Sequence, residues 1–110
     1  KIAINPVQQQ VAALTYSPEL DIRVSDIGRG SLAVVFPKEN NLHPSQIAYT
    51  PDGKFLVVGG GTDARSPISH VTVWDVSSGE IVASSPTIAG ELWSMSIAPD
   101  GTQVAISLQR

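Results

Sequence analysis

The 110-residue sequence predicts an all-β fold of four-stranded antiparallel meanders that recur along the chain. Three observations carry that reading. First, one motif of apolar strand, proline turn and apolar strand occurs three times: Ile2-Ala3-Ile4-Asn5-Pro6 with Val11-Ala12-Ala13, Ile47-Ala48-Tyr49-Thr50-Pro51 with Leu56-Val57-Val58, and Met95-Ser96-Ile97-Ala98-Pro99 with Val104-Ala105-Ile106. The prolines are 45 and then 48 residues apart. Second, an independent anchor keeps nearly the same period, because Arg23-Val24-Ser25-Asp26-Ile27 with Gly30 matches Thr72-Val73-Trp74-Asp75-Val76 with Gly79 at a spacing of 49. Third, two of the turns carry Asp-Gly, at Asp52-Gly53 and Asp100-Gly101, which supplies the positive-φ residues a tight hairpin needs. Self-similarity at this period marks an array of supersecondary units that bury their faces against one another.

Taken in order, residues 1–4 are predicted to be the tail of a first strand, 11–16 the second, 20–26 the third and 32–36 the fourth. They complete a unit over 1–37 whose first strand is partial. A polar connector over 38–43 leads to a full unit over 45–84, with strands at 47–50, 54–58, 70–76 and 81–83. The third unit, over 92–108, has the first two strands only. Loops before the third strand absorb the differences in period: the first unit has a short one at 17–20, the second a long one at 59–69. Residues 55–58, 32–36 and 81–83 are continuously apolar, the pattern of strands buried on both faces where sheets stack. In the 70–76 strand, Val71 and Val73 point one way, Thr72 and Trp74 the other.

Composition bounds the function. Hydrophobic residues make up 42% and charged residues 15%, enough apolar material for one domain and unlike a disordered chain. A net charge of −3, with Lys and Arg scattered, offers no basic patch, so neither nucleic acid nor an anionic membrane is expected as a ligand. The chain has no cysteine, which excludes disulfides, thiolate nucleophiles and sulfur-ligated metals. No apolar run approaches a membrane span and no signal-peptide pattern opens the sequence. A cytoplasmic setting is mildly favoured on that basis, and the missing initiator Met suggests trimming from a longer parent.

The string from Leu92-Trp93-Ser94 to Pro99-Asp100-Gly101, the Tyr49-Thr50-Pro51-Asp52-Gly53 one period earlier, and Val71-Thr72-Val73-Trp74-Asp75 resemble the WD-repeat β-propeller family. The resemblance covers essentially the whole chain, most closely in the second and third units. It implies four-stranded blades around a central channel, and hence an incomplete propeller of about two and a half blades. The chain departs from the family pattern at three places. The usual Gly-His pair is replaced by Ala89-Gly90-Glu91 and Leu42-His43-Pro44, the acidic residue six before the Trp is Ile68, and the first unit has Ser25 where the Trp would stand. A closed propeller uses four or more blades, so the remaining blades are expected elsewhere in the parent chain or on another chain. Self-association does not obviously supply the third and fourth strands the last unit lacks.

Candidate residues follow. Trp74 is read as a packing residue, Asp75 as a carboxylate bonding nearby backbone amides, and Asp52, Gly53, Asp100 and Gly101 as turn formers. The resemblance places the loop between the second and third strands and the blade-to-blade connections on one rim, the usual partner-binding surface. There the long loop at 59–69 carries three glycines for a backbone excursion and Asp63 with Arg65 at its tip. Glu91 and Trp93 are expected near the same rim or at the channel mouth, Trp93 being open to a packing reading as well. Gly59-Gly60-Gly61 is no phosphate loop, since no helix and no Lys-Ser/Thr pair follows.

No catalytic constellation is found: His43 and His70 are the only imidazoles, and neither lies in a pattern of nucleophile and orienting acid. They lie 27 residues apart with no carboxylate pattern, unlike zinc ligands. No cofactor or metal is expected. The expected function is a non-catalytic scaffold whose rim loops bind a protein partner. The alternative is the propeller portion of a larger hydrolase or redox enzyme, acting as lid or docking surface.

Overall fold

The three proline turns share one hydrogen-bonding scheme. The residue before each proline donates its N–H across the turn, Asn5 to Gln10 O at 3.0 Å, Thr50 to Phe55 O at 2.9 Å and Ala98 to Gln103 O at 2.9 Å. In the two Asp-Gly turns the glycines stand at φ 73° (Gly53) and 75° (Gly101). Their N–H groups donate to Thr50 O and Ala98 O at 2.9 and 2.8 Å. Glycine enters this left-handed region without the Cβ penalty other residues incur.

The computed structural model describes residues 2–7, 9–15, 21–26, 31–36, 43–61 and 68–109. Among these there is no helix, and the strands are β1 (Ile2–Ile4), β2 (Gln10–Thr15), β3 (Asp21–Asp26), β4 (Ser31–Phe36), β5 (His43–Tyr49), β6 (Phe55–Gly61), β7 (Ile68–Asp75), β8 (Ile81–Ser84), β9 (Ile88–Ala89), β10 (Glu91–Ile97) and β11 (Val104–Gln109). They form three antiparallel sheets: β1-β2-β3-β4, then β5-β6-β7-β8 with β9 also pairing β7, then β10-β11.

Three expectations need correction. Gly59, Gly60 and Gly61 are not loop but the last residues of β6, paired with Val71, His70 and Ser69. His43, expected in the connector, begins β5 opposite Gly61. The strand at 81–83 is not buried on both faces: every residue of β8 is exposed, Val82 at 54%, because β8 is the outermost strand of its sheet. The short β9 had no counterpart in the sequence reading.

Each sheet has a small-residue face and a large-residue face. In the first, the cross-strand row Ala3, Ala12, Val24 packs against Ile47, Tyr49, Leu56, Val58 and Trp74 of the second, with Ala12, Val24 and Leu56 at 0% exposure. In the second sheet the opposite face carries the row Ala48, Val57, Val73. A cleft of about 240 Å³ lies between Val57 and Val73 on that face and Ile97 and Val104 of the third sheet. Stacking in series thus sets the small face of one sheet against the large face of the next. Removing these apolar faces from water is the main force holding the sheets together.

Candidate interaction surface

Trp74 is buried at 4% exposure, and its indole Nε1–H donates to Thr72 Oγ1 at 2.9 Å. Asp75, at the end of β7, accepts from Ser77 N, Ser77 Oγ and Ser78 N at 2.8, 2.6 and 3.2 Å. Asp52 accepts from Thr50 Oγ1 at 2.6 Å and Lys54 N at 3.0 Å, and Asp100 from Thr102 N and Oγ1 at 3.0 and 2.8 Å. These donors favour the charged carboxylate, so all three acids are held below the ordinary carboxylate pKa, by the Thr50 and Ser77 hydroxyls first for Asp52 and Asp75 and by the Thr102 N–H first for Asp100. Their contribution to stability is present at neutral pH and fades as acid protonates them.

Asp63 and Arg65 lie outside the described residues. The strand ends that flank them are described. Gly61 pairs with Ser69, Ile68 pairs with Ala89 of β9, and Ser69 Oγ–H donates to Gly90 O at 2.6 Å in a buried bond. Glu91 follows Gly90 directly and is exposed. The chain therefore leaves β6 and enters β10 at one end of the sheets, which puts Glu91 beside the end of β6 and the start of β7.

Trp93 is the extra residue of a β-bulge: Leu92 pairs with Leu108 and Ser94 with Ser107, leaving Trp93 between them. A bulge re-aims the side chain it carries, and the Trp93 indole is 61% exposed. It borders a shallow depression of about 310 Å³ lined by Ser107, Leu108 and Gln109. Its carbonyl accepts from Gln46 Nε2 at 3.0 Å, which ties the bulge to the second sheet. The same irregularity occurs one repeat earlier, where β5 shifts register between Pro44 and Gln46 and leaves out Ser45. Ser45 and Trp93 both stand six residues before the repeat proline. The bulge thus belongs to the repeat, and the indole is particular to the third unit.

Two further residues have roles between sheets that their local sequence does not announce. Asn5 is buried, and its side-chain amide donates to Gly53 O at 2.9 Å while its Oδ1 accepts from Val7 N at 2.9 Å. It joins the first proline turn to the second across the sheet boundary. Gly59 is the contact point for the third sheet, since a Cβ there would stand 2.5 Å from Leu92 Cδ2 and 3.3 Å from Met95 Sδ. His70, in β7 opposite Gly60, has a buried Nδ1 with no hydrogen-bond partner among the described residues. No group of three or more His, Cys, Asp and Glu able to hold a metal occurs among the described residues. No helix among them is long and apolar enough to cross a membrane.

The antiparallel sheets stacked in series are matched in a solved structure. The Cps50 (Swd1) β-propeller domain of Myceliophteria thermophila is similar over 98% of this chain, with a TM-score of 0.72 and 18% identity. The fold is an incomplete β-propeller. The chain spans 35% of the length of that solved chain. No family model matches the sequence, and no curated protein matches it. Glu91 and Trp93 stand at the start of β10, beside the connection from the second sheet.

Proposed function

We propose that this propeller portion is a non-catalytic scaffold that captures a protein partner on the rim at the β9–β10 junction, with Glu91 and Trp93 as contacts and Asp63 and Arg65 as further contacts. One observation carries the reading: the repeat's bulge projects a serine in one blade and a mostly exposed tryptophan in the next. An indole left in water forgoes the burial that would stabilise the fold, whereas aromatic side chains are the usual energetic anchors of protein interfaces. Glu91 adds a negative charge next to it, which suits a partner segment with a basic side chain able to pair with the carboxylate and stack on the indole. The likeness to a solved propeller domain supports the scaffold architecture, and recognition is read from these side chains.

The test is capture by the immobilised chain, with bound proteins measured by quantitative mass spectrometry. Trp93→Ala is expected to remove most of a specific interactor's signal, Glu91→Gln to reduce it in a salt-dependent way, and Asp63→Ala with Arg65→Ala to weaken it further, each with an unchanged circular dichroism spectrum. Undiminished capture by the Trp93 variant contradicts the assignment.

A further inference from the structure

The dipeptide Asp-Gly occurs twice, at residues 52–53 and 100–101, each time after a proline and in a turn whose glycine has a φ of 73° or 75°. Asp-Gly is the sequence in which an aspartate cyclises most readily. The glycine nitrogen attacks the side-chain carboxyl carbon, unhindered by a Cβ on its own residue, its proton and the carboxyl oxygen leave as water, and a five-membered imide forms. Water then opens the ring at either carbonyl and returns aspartate or isoaspartate, in which the main chain runs through the side-chain carbons. Closure requires the glycine N–H and the carboxylate to leave their partners, so it proceeds from a locally opened turn. Within the turns those partners match. Gly53 and Gly101 donate to Thr50 O and Ala98 O, and each carboxylate accepts from one threonine hydroxyl and one main-chain N–H. Both acids are held below the usual carboxylate range, so ionisation does not separate them either.

What separates them is the turn of the preceding sheet, present in both cases. Gly53 is buried, its carbonyl accepts from Asn5 Nδ2 at 2.9 Å in a buried bond, and Val7 Cβ crowds it from the same side. The clamp is itself durable, because Pro6 leaves Asn5 without a following N–H through which its own amide could cyclise. Gly101 is only half-buried, and the nearest atom to a Cβ there is Pro51 Cδ at 3.4 Å. Thr50, the equivalent of Asn5, directs its hydroxyl to Asp52 instead. Thr102, which holds Asp100, is exposed, whereas Thr50 is buried. We propose that Asp100 is a site of spontaneous isoaspartate formation in the folded chain and that Asn5 withholds the same reaction from Asp52. The product lengthens the turn between β10 and β11 by one carbon and so unsettles the hairpin that carries Trp93.

Peptide mapping with electron-transfer fragmentation, which distinguishes isoaspartate from aspartate, tests this on the chain incubated at neutral pH and physiological temperature. In the folded chain, isoaspartate should accumulate at residue 100 about tenfold faster than at residue 52, the scale on which one buried hydrogen bond suppresses local opening. In guanidinium chloride the two rates should become equal, since both dipeptides follow a proline. Asn5→Asp keeps the bond accepted from Val7 N and loses the one donated to Gly53 O. It should raise the rate at residue 52 towards that at residue 100 and leave residue 100 unchanged. Equal rates in the folded native chain, or no conversion at residue 100 in the time the denatured chain converts, overturns the proposal. A rate at residue 52 that Asn5→Asp does not move, or an equal rise at both residues, overturns the role given to Asn5.

Discussion

The two sheet boundaries of this chain solve one packing problem differently. Between the first and second sheets, the small row Ala3, Ala12, Val24 meets Tyr49, Leu56 and Trp74 in a closed cluster, and Asn5 ties the two turns together by its bond to Gly53 O. Between the second and third, Gly59 gives way to Leu92 and Met95, a cleft stays open near Val57 and Ile97, and Pro51 of one turn lies beside Gly101 of the next. The residue equivalent to Asn5 is Thr50, whose hydroxyl is turned onto its own Asp52 and therefore does not reach across. A repeat thus sets the stacking direction, and single side chains decide how tightly each boundary is fastened.

The difference can be broken from either side. Leu56→Ala, at the closed boundary, should cost about 2–5 kcal/mol, the range for emptying a fully buried leucine site, read as a fall in the thermal midpoint. Gly59→Val attacks the other boundary by overfilling it and should cost about 1–3 kcal/mol. Its signature is regional: amide exchange should quicken in β10 and β11 before it does in β2 and β3. Equal quickening in all four strands would mean that the third sheet is not separately seated through Gly59.

A matched pair isolates the Asn5 tie. Gly53→Ala and Gly101→Ala force alanine into the same left-handed conformation, at a cost of about 1–2 kcal/mol each. At Gly53 the new methyl also collides with Asn5 Oδ1, whereas at Gly101 the nearest atom is Pro51 Cδ at 3.4 Å. Gly53→Ala should therefore be the more destabilising of the two, and the gap should narrow in an Asn5→Ala background, where only the approach to Val7 Cβ at 3.1 Å remains. Equal losses in the native background would show that the tie contributes nothing.

The smallest expected change is a gain. Tyr49 is buried at the closed boundary, its hydroxyl has no hydrogen-bond partner among the described residues, and burial pushes its pKa from 10.0 up to about 12. Tyr49→Phe removes the unpaired group and should stabilise the chain by about 1 kcal/mol. The native chain holds the phenol proton more tightly folded than unfolded. That contribution is intact below pH 10 and is lost as pH rises towards 12, so the phenylalanine variant should lack this alkaline loss.

How much of this was legible in the sequence follows from what each residue does locally. The proline turns, the Asp-Gly hairpins and the alternation of Thr72 and Trp74 against Val71 and Val73 are written in short-range chemistry, and the strands form around them. Gly59-Gly60-Gly61 misled because glycine reads as loop by propensity, whereas the missing side chain of Gly59 admits Leu92 from another sheet, a requirement set by a residue 33 positions later in sequence and adjacent in space. The apolar run at 81–83 read as buried because periodicity reports hydrophobicity and not a strand's place at the rim. Asn5 before Pro6 announces a turn and gives no sign of the carbonyl it reaches. Trp93 was singled out, but the bulge that projects it becomes visible only when β10 is paired with β11.

The central claim is that sheets stack with a small face against a large one, and a volume exchange across the closed boundary tests it most directly. Ala12→Leu and Leu56→Ala should each lower the thermal midpoint, and the double variant should be more stable than the sum of the single losses allows, by at least about 0.5 kcal/mol. Strict additivity of the two losses would place these residues in separate environments and contradict the stacking.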